Sequence, residues 1–351
     1  MRAQGLGALL VTNARDVRYL TGFHGADSWL VLSARRAVIV SDFRFQEELE
    51  SVTGATPGVR ARIRTGSIIA AACEEIEDAL PAGDRAGIQA EHVSVALRER
   101  LAKRLGARRL AHTTGLVAEL RLRKDAAEIE LISRAVRAQE RALLAVLEDL
   151  RPGQTESSIA SRLVAEMSAR GSSEPAFDVI VAARANGSLP HAIPGATKTK
   201  TGEPVLIDWG ATIGGYRSDM TRTLTLGRWK REMREIYEVT LEAQLAALER
   251  IGPGVPCEEV DAAARDIIDD AGYGDRFGHG LGHGVGLDIH EGPRLARASE
   301  DVLAPGMVVT VEPGIYLPGV GGVRIEDLVV VTERGRRNLC TLPKDLDWAT
   351  R

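Results

Sequence analysis

Four acidic residues interrupt segments that otherwise read as buried β-strands. Asp208 ends the run Val205-Leu206-Ile207, and Asp219 follows the turn-rich stretch from Gly210 to Gly215. Glu312 closes Val308-Val309-Thr310-Val311, and Glu326 sits inside Val323-Arg324-Ile325-Glu326-Asp327-Leu328-Val329. Short apolar runs bounded by turn residues fit strands with both faces covered. An acid there is either an exposed strand end or a buried charge. If the segments around Asp208 and Asp219 form a hairpin, their carboxylates can lie opposite each other on adjacent strands. Buried carboxylates at close range repel unless protonated or bridged by a cation. Burial without a counter-ion costs several kcal/mol per charge, and with the pattern repeated at four places a bound metal is the simplest compensation.

The histidines add an independent signal. His191, His279, His283 and His290 all lie in the second half, the last three within FGHGLGHGVGLDIHEGP. Glycines let backbone approach a ligand closely and let imidazoles converge without clashes. A set made mostly of oxygens with a single nitrogen favours harder divalent ions, manganese or cobalt, over a thiolate zinc site. Two such ions roughly 3.5–4 Å apart can share bridging carboxylates and a hydroxide that is nucleophilic at neutral pH. Cys73, Cys257 and Cys340 are far apart and form no CxxC pair, so they read as buried or inert thiols. There is no GxSxG, no recognisable Cys/His pairing and no phosphate-cradling GxxxxGK[ST] to compete.

At 351 residues the chain suits two compact domains. Its first third alternates strand-like runs (GALLVTN, SWLVLS, RAVIVSD) with helical ones at about Ser67–Leu80 and His92–Leu105, an α/β pattern over residues 1–120. From residue 121 to 351 an α+β domain is expected. It opens with the long amphipathic segment ending before Arg151-Pro152-Gly153, continues with a helix capped by Thr155, and adds helices near Lys230–Arg250 and Glu258–Ala271. Between and after these stand FDVIVA, PVLIDWGATIGGYRSDMTRTLTL, MVVTVEPGIYL and VRIEDLVVVT, which suit a largely antiparallel sheet. A net charge of −4 gives no bias toward nucleic acid, and the arginines from Arg98 to Arg109 alternate with Leu101, Leu105 and Leu110 as on a solvated amphipathic face. The first twenty residues hold no apolar stretch long enough for a signal peptide or membrane span, so a cytoplasmic protein without membrane contact is expected.

Taken together, the motifs DWGATIGGYRSDMTRT, GHGLGHGVG, VTVEPGIY and GGVRIEDLVVV resemble those of the pita-bread metallopeptidases, in the aminopeptidase P and prolidase branch. NARDVRYLTGF resembles part of the creatinase-type N-terminal domain, so the likeness covers nearly the whole chain. It implies a creatinase-like α/β domain followed by a pita-bread catalytic domain, two divalent metal ions (Mn2+, with Co2+ or Zn2+ as alternatives) and a homodimer. It also implies that Asp208, Asp219, His283, Glu312 and Glu326 are the metal ligands, Asp219 and Glu326 bridging. His191, in SLPHAIPG, and His290, in GLDIHEGP, resemble the family histidines that stabilise the tetrahedral intermediate or leaving group, Glu312 the proton carrier, and His279 and Arg324 supporting residues. Arg324 and Glu326 share a strand face, and for Arg324 a salt bridge and a substrate contact are both open. Two departures stand out. Arg184 occupies a position where the family usually has glycine, and the first strand begins sooner than usual, as if a leading helix were missing.

The activity implied is metal-assisted hydrolysis of the bond between an N-terminal residue and a following proline, an Xaa-Pro aminopeptidase. The nearest alternative is a prolidase, restricted to Xaa-Pro dipeptides by a group that captures the substrate's carboxylate, with Arg184 and Arg324 both open for that role. Methionine aminopeptidases resemble only the second half, and the retained ligands speak against metal-free, creatinase-like hydrolysis. A catalytically inactive peptide-binding module is the reading from a different class.

Overall fold

The computed structural model describes residues 5–81 and 83–351; residues 1–4, where a leading element would stand, lie outside them. Two compact units divide the chain, Met1–Arg121 and Leu122–Arg351.

The first unit runs β1 (Leu6–Val11), α1 (Ala14–Thr21), β2 (Trp29–Ser33), β3 (Ala37–Asp42), α2 (Gln46–Ala55), β4 (Val59–Arg64), α3 (Ile68–Ala79), β5 (Arg85–Gln89), α4 (Val95–Leu105), β6 (Leu110–Thr113) and α5 (Ala118–Arg121). Its strands form one mixed sheet in the order β4, β3, β2, β1, β5, β6. Alternate residues of β1 serve two cores: Ala8 and Leu10 pack with Ile76 and Leu101, whereas Leu9 and Val11 pack with Phe23 and Leu49, as the two-residue strand period requires. The helix expected from His92 starts only at Val95, because the Ser94 hydroxyl caps it by accepting from Leu97 N.

The second unit contains α6 (Ala126–Glu148), α7 (Glu156–Ala169), β7 (Ile180–Ala183), β8 (Pro204–Trp209), β9 (Thr212–Ile213), β10 (Tyr216–Arg217), β11 (Met220–Thr225), α8 (Arg231–Arg250) and α9 (Cys257–Asp270). It ends in β12 (Gly282–Gly284), β13 (Glu291–Leu295), β14 (Val308–Val311), β15 (Gly314–Leu317), β16 (Gly321–Arg324), β17 (Asp327–Thr332) and β18 (Gly335–Asn338). The long amphipathic stretch is not continuous with α5. A capping box at Asp125, whose carboxylate accepts from Ala127 N and Glu128 N, starts α6 at Ala126. Strands β11, β8 and β7 form one antiparallel sheet, and β13, β12, β14, β17 and β18 another. The α/β and α+β classes expected from the sequence are both present.

Candidate metal centre and catalytic cleft

Strand pairing brings the acids together. In the β8–β11 ladder Asp208 lies opposite Thr221, and Asp219 precedes β11 by one residue. The two carboxylates are therefore diagonal neighbours on one face rather than directly opposed, because the small β9–β10 hairpin is inserted at the tip. The strands pinch there: a Cβ on Gly210 would stand 2.0 Å from the Ser218 carbonyl oxygen. Glu326 follows β16, its backbone N–H donating to Thr221 O at 3.1 Å and its Oε2 accepting from the Thr221 hydroxyl at 2.7 Å. Asp208, Asp219 and Glu326 each offer a carboxylate oxygen, all within 4.8 Å of one another.

His283 and Glu312 extend the set. The Nε2 of His283 is 3.3 Å from Glu312 Oε1 and 3.7 Å from Asp219 Oδ2, while its Nδ1 faces Gly284 O at 3.1 Å. With Nδ1–H donating to that carbonyl, Nε2 turns a lone pair toward two carboxylates, and only a proton or a cation there satisfies all three groups. The glycines earn this geometry. A Cβ on Gly282 would meet Thr310 O at 2.1 Å and one on Gly284 would meet Gly292 O at 1.9 Å, so β12 fits between β13 and β14 only without side chains at these points.

Electrostatics points the same way. Burial first, and then neighbouring carboxylates, raise Asp219 and Glu326 well above the usual carboxylate range. Burial also raises Asp208, although the Arg324 guanidinium opposes it. Glu312 behaves differently: burial works against its charge, but the hydrogen bond and charge of His283 together with the Arg324 guanidinium outweigh this and hold it at about 2. Burial pulls His283 down, but the hydrogen bond and charge of Glu312, the Gly284 carbonyl and the charge of Asp208 together raise it. Three buried carboxylates and the half-buried Glu312 face one permanent cation among the described residues, Arg324. Among the described residues Asp208 Oδ1 and Glu326 Oε1 are buried without any hydrogen-bond partner. Orphaned anionic oxygens, a lone imidazole nitrogen and no thiolate fit hard divalent cations.

The centre forms the floor of a cleft of about 1720 Å³ whose lining includes His191, His279, His283, His290, Arg276 and Arg294. Support comes from Arg324, which donates to Asp208 Oδ2 at 2.6 Å, Thr221 Oγ1 at 3.0 Å and Tyr316 Oη at 2.9 Å. The Tyr316 hydroxyl meets His279 Nε2 at 2.9 Å, and His279 Nδ1 faces Gly280 O at 2.8 Å. With Nδ1–H donating to that carbonyl, Tyr316 donates to Nε2 and accepts from Arg324.

Comparison with known proteins now decides the family. The sequence pattern of Metallopeptidase family M24 matches residues 130–333, and that of the Creatinase/Prolidase N-terminal domain matches residues 1–123. The chain belongs to metallopeptidase family M24. Among its relatives is the Xaa-Pro dipeptidase of Pyrococcus furiosus, 40% identical over 273 residues, covering 78% of either chain. Solved structures similar to it include an Xaa-Pro dipeptidase from Bacillus anthracis, with TM-score 0.93, 36% identity and coverage of 98% of this chain and 96% of that one. An X-Pro aminopeptidase from Thermotoga maritima gives TM-score 0.89, 34% identity and coverage of 98% and 99%. The fold is thus the pita-bread fold behind a creatinase-type domain, in the aminopeptidase P and prolidase branch, and the protein is a metal-dependent peptidase.

In this M24 peptidase, the five sequence-derived ligand candidates converge. His290 stacks edge-on to His283 with ring centroids 4.4 Å apart. His191 lines the cleft from an exposed loop with no hydrogen-bond partner among the described residues. Of the two roles open for Arg324, the structure shows the salt bridge, to Asp208. Arg184 is exposed and absent from the cleft lining; its φ of 60° is the left-handed conformation for which glycine is otherwise used. Tyr316 and Thr221 were not singled out in the sequence. Tyr316 is four positions beyond Glu312 in VEPGIYL, a strand pattern that leaves its hydroxyl's partners unspecified. No helix of the described residues is long and apolar enough to cross a membrane. All three cysteines are free and buried.

Proposed function

We propose that this M24 peptidase is an Xaa-Pro dipeptidase, splitting a first residue from a C-terminal proline. The observation that carries this reading is a pair of guanidiniums, Arg276 and Arg294. Both line the cleft, are exposed, and have no carboxylate partner among the described residues. Facing an acidic floor, they suit the free carboxylate of a dipeptide. Arg324 is committed to Asp208 and Arg184 lies off the cleft, so neither group considered from the sequence fills that role. The Xaa-Pro dipeptidases among the relatives support the same choice.

In this proposal Asp208, Asp219, His283, Glu312 and Glu326 hold two divalent ions, Mn2+ by preference and Co2+ or Zn2+ otherwise. Such ions supply Lewis acidity and a water that is nucleophilic at neutral pH. Glu312, hydrogen-bonded to Thr310 Oγ1 at 3.0 Å, carries the proton from that water toward the leaving nitrogen. His191 and His290 direct N–H groups at the developing oxyanion. Arg324 fixes the Asp208 carboxylate, and Tyr316 with His279 fixes Arg324. Proline nitrogen has no N–H to donate, so the ring is recognised by apolar wall, which the cleft provides at Phe177, Val179 and Ile193. A cytoplasmic location and a homodimer are part of the same proposal, the homodimer resting on family resemblance alone.

A second reading, the Xaa-Pro aminopeptidase first expected, is favoured by cleft size: about 1720 Å³ exceeds the roughly 300–1,000 Å³ of ordinary small-ligand pockets. Manganese-loaded enzyme assayed on Xaa-Pro and Xaa-Pro-Yaa separates them. A dipeptidase cleaves the first only, and Arg294→Ala raises its KM about tenfold or more through loss of a charge-assisted hydrogen bond. Efficient tripeptide cleavage turns the assignment to aminopeptidase. No metal-dependent cleavage of either, with less than one ion bound per chain, turns it to an inactive binding module.

A further inference from the structure

Glu156 is a buried carboxylate that the reaction as described does not use. It sits in the first turn of α7 and is 1% exposed, with no cationic partner among the described residues. Its oxygens accept only N–H groups. Oε1 takes Ala183 N at 2.7 Å and Asn186 Nδ2 at 2.9 Å, and Oε2 takes Gly195 N at 3.0 Å. Those donors come from the two ends of one loop. Ala183 is the last residue of β7, whose Ile180 pairs with Asp208. Gly195 lies where the chain returns, and Ser157 N donates back to Gly195 O at 3.0 Å. Asn186 adds a cross-tie, its Nδ2 also reaching Thr197 Oγ1 at 3.0 Å. Between the clamped ends lie His191 and Ile193, both cleft-lining, with Ile193 90% exposed.

Between those ends the loop is held by Leu189 N to Asn186 O at 2.9 Å, Ala192 N to Leu189 O at 3.1 Å and a long bond from Arg324 Nη1 to Pro190 O at 3.4 Å, and by Ala192, which is buried against Ile180, Ala182, Leu206 and Tyr316. Chain ends fixed by one buried acceptor limit the conformations open to the segment between them, and a buried donor left unpaired forces the backbone elsewhere. We infer that Glu156 is a positioning residue for His191: its carboxylate clamps both ends of the 184–195 loop and so sets where the imidazole stands over the cleft floor. The inference rests on the assignment of His191 to the reaction. Acceptors are specified on both sides of the group. A glutamine must turn its NH2 toward N–H donors on one side, whichever way the amide is oriented.

The test is a double-mutant cycle in manganese-loaded enzyme, comparing Glu156→Gln, His191→Ala and the double variant by kcat, KM and bound metal. Expected is a fall in kcat of about 10- to 100-fold for Glu156→Gln, the cost of a misplaced group, with bound metal unchanged. In the His191→Ala background the same change should alter kcat by less than about twofold. Equal falls in both backgrounds, or no fall in the native one, overturn the inference. His191→Ala with native kcat sinks the assignment of His191 itself, an outcome visible separately because it needs no change at Glu156. If Glu156→Gln does not fold, Asn186→Ala, which removes one arm of the clamp, is read in the same two backgrounds with the same criteria.

Discussion

Glu326 and Asp327 are consecutive, equally buried and opposite in character. Asp327 is surrounded by donors: Arg222 at 2.8 Å, Gln244 at 3.2 Å, Asn338 at 2.8 Å and Lys344. Burial disfavours its charge, but the Arg222 and Lys344 cations prevail and hold it at about 2. Glu326, one residue earlier, accepts from Thr221 and has an oxygen with no partner, and burial among Asp219, Glu312 and Asp208 pushes it well up. Strand β11 carries both environments. Thr221 faces the metal centre and Arg222 the balanced cluster, because successive side chains leave a strand on opposite sides. The charge at Asp327 is neutralised by the protein's own cations, whereas that at Glu326 has no such partner among the described residues and, under the proposed function, is left to a bound metal.

The contrast can be broken most decisively at the centre. Glu326→Gln or Asp219→Asn should lower kcat/KM by at least about 10³-fold, since Lewis-acid stabilisation amounts to several kcal/mol, and reduce bound manganese below one ion per chain. Near-native metal content in either variant would remove those residues from the ligand set. On the other face, Asp327→Asn should leave metal stoichiometry intact yet cost about 3–5 kcal/mol of stability, as expected when one partner of a buried ion pair is lost. Thermal unfolding showing less than a few degrees of change in Tm would end the view of that cluster as structural.

A sharper version compares melting after chelation. Removing metal should lower the Tm of the native protein by mass action. Under the same chelation Asp219→Asn should melt a few degrees higher than the native chain, because one repelling carboxylate is gone. A lower Tm for the variant would contradict the repulsion inferred from geometry. The last effect, absent at neutral pH, concerns a buried group kept neutral. Burial, aided by Asp301, raises Cys257 from 9.0 to about 12. Its folded value lies above the unfolded one, so its contribution is whole below pH 9 and is lost as pH rises toward 12. The slope is about 1.4 kcal/mol per pH unit across that window, and Cys257→Ala should flatten the alkaline limb of a stability-versus-pH curve by that amount.

The acids of the centre were legible because each stands in a short apolar run, where a two-residue period and the cost of burial leave few explanations. The glycines flanking His283 were legible for a related reason: GHGLGHGVG promises close backbone approach, and Gly282 and Gly284 deliver it against Thr310 and Gly292. The diagonal offset of Asp208 and Asp219 was not, since it depends on the inserted β9–β10 hairpin. Nor were the arginines on which the proposed choice of substrate rests: Arg276 and Arg294 look like any surface arginines until the cleft collects them.

What the sequence alone determined is the class of fold, the family and the set of chemistry-bearing side chains, because period, turn residues and motif are local properties. What only the tertiary structure decided is which buried charges are balanced. Arg222 and Lys344 reach Asp327 from distant parts of the chain, and Glu156 holds loop ends that lie 27 and 39 positions away. The energy of a buried charge depends on every neighbour within a few ångströms, and those neighbours are chosen by packing rather than by order along the chain.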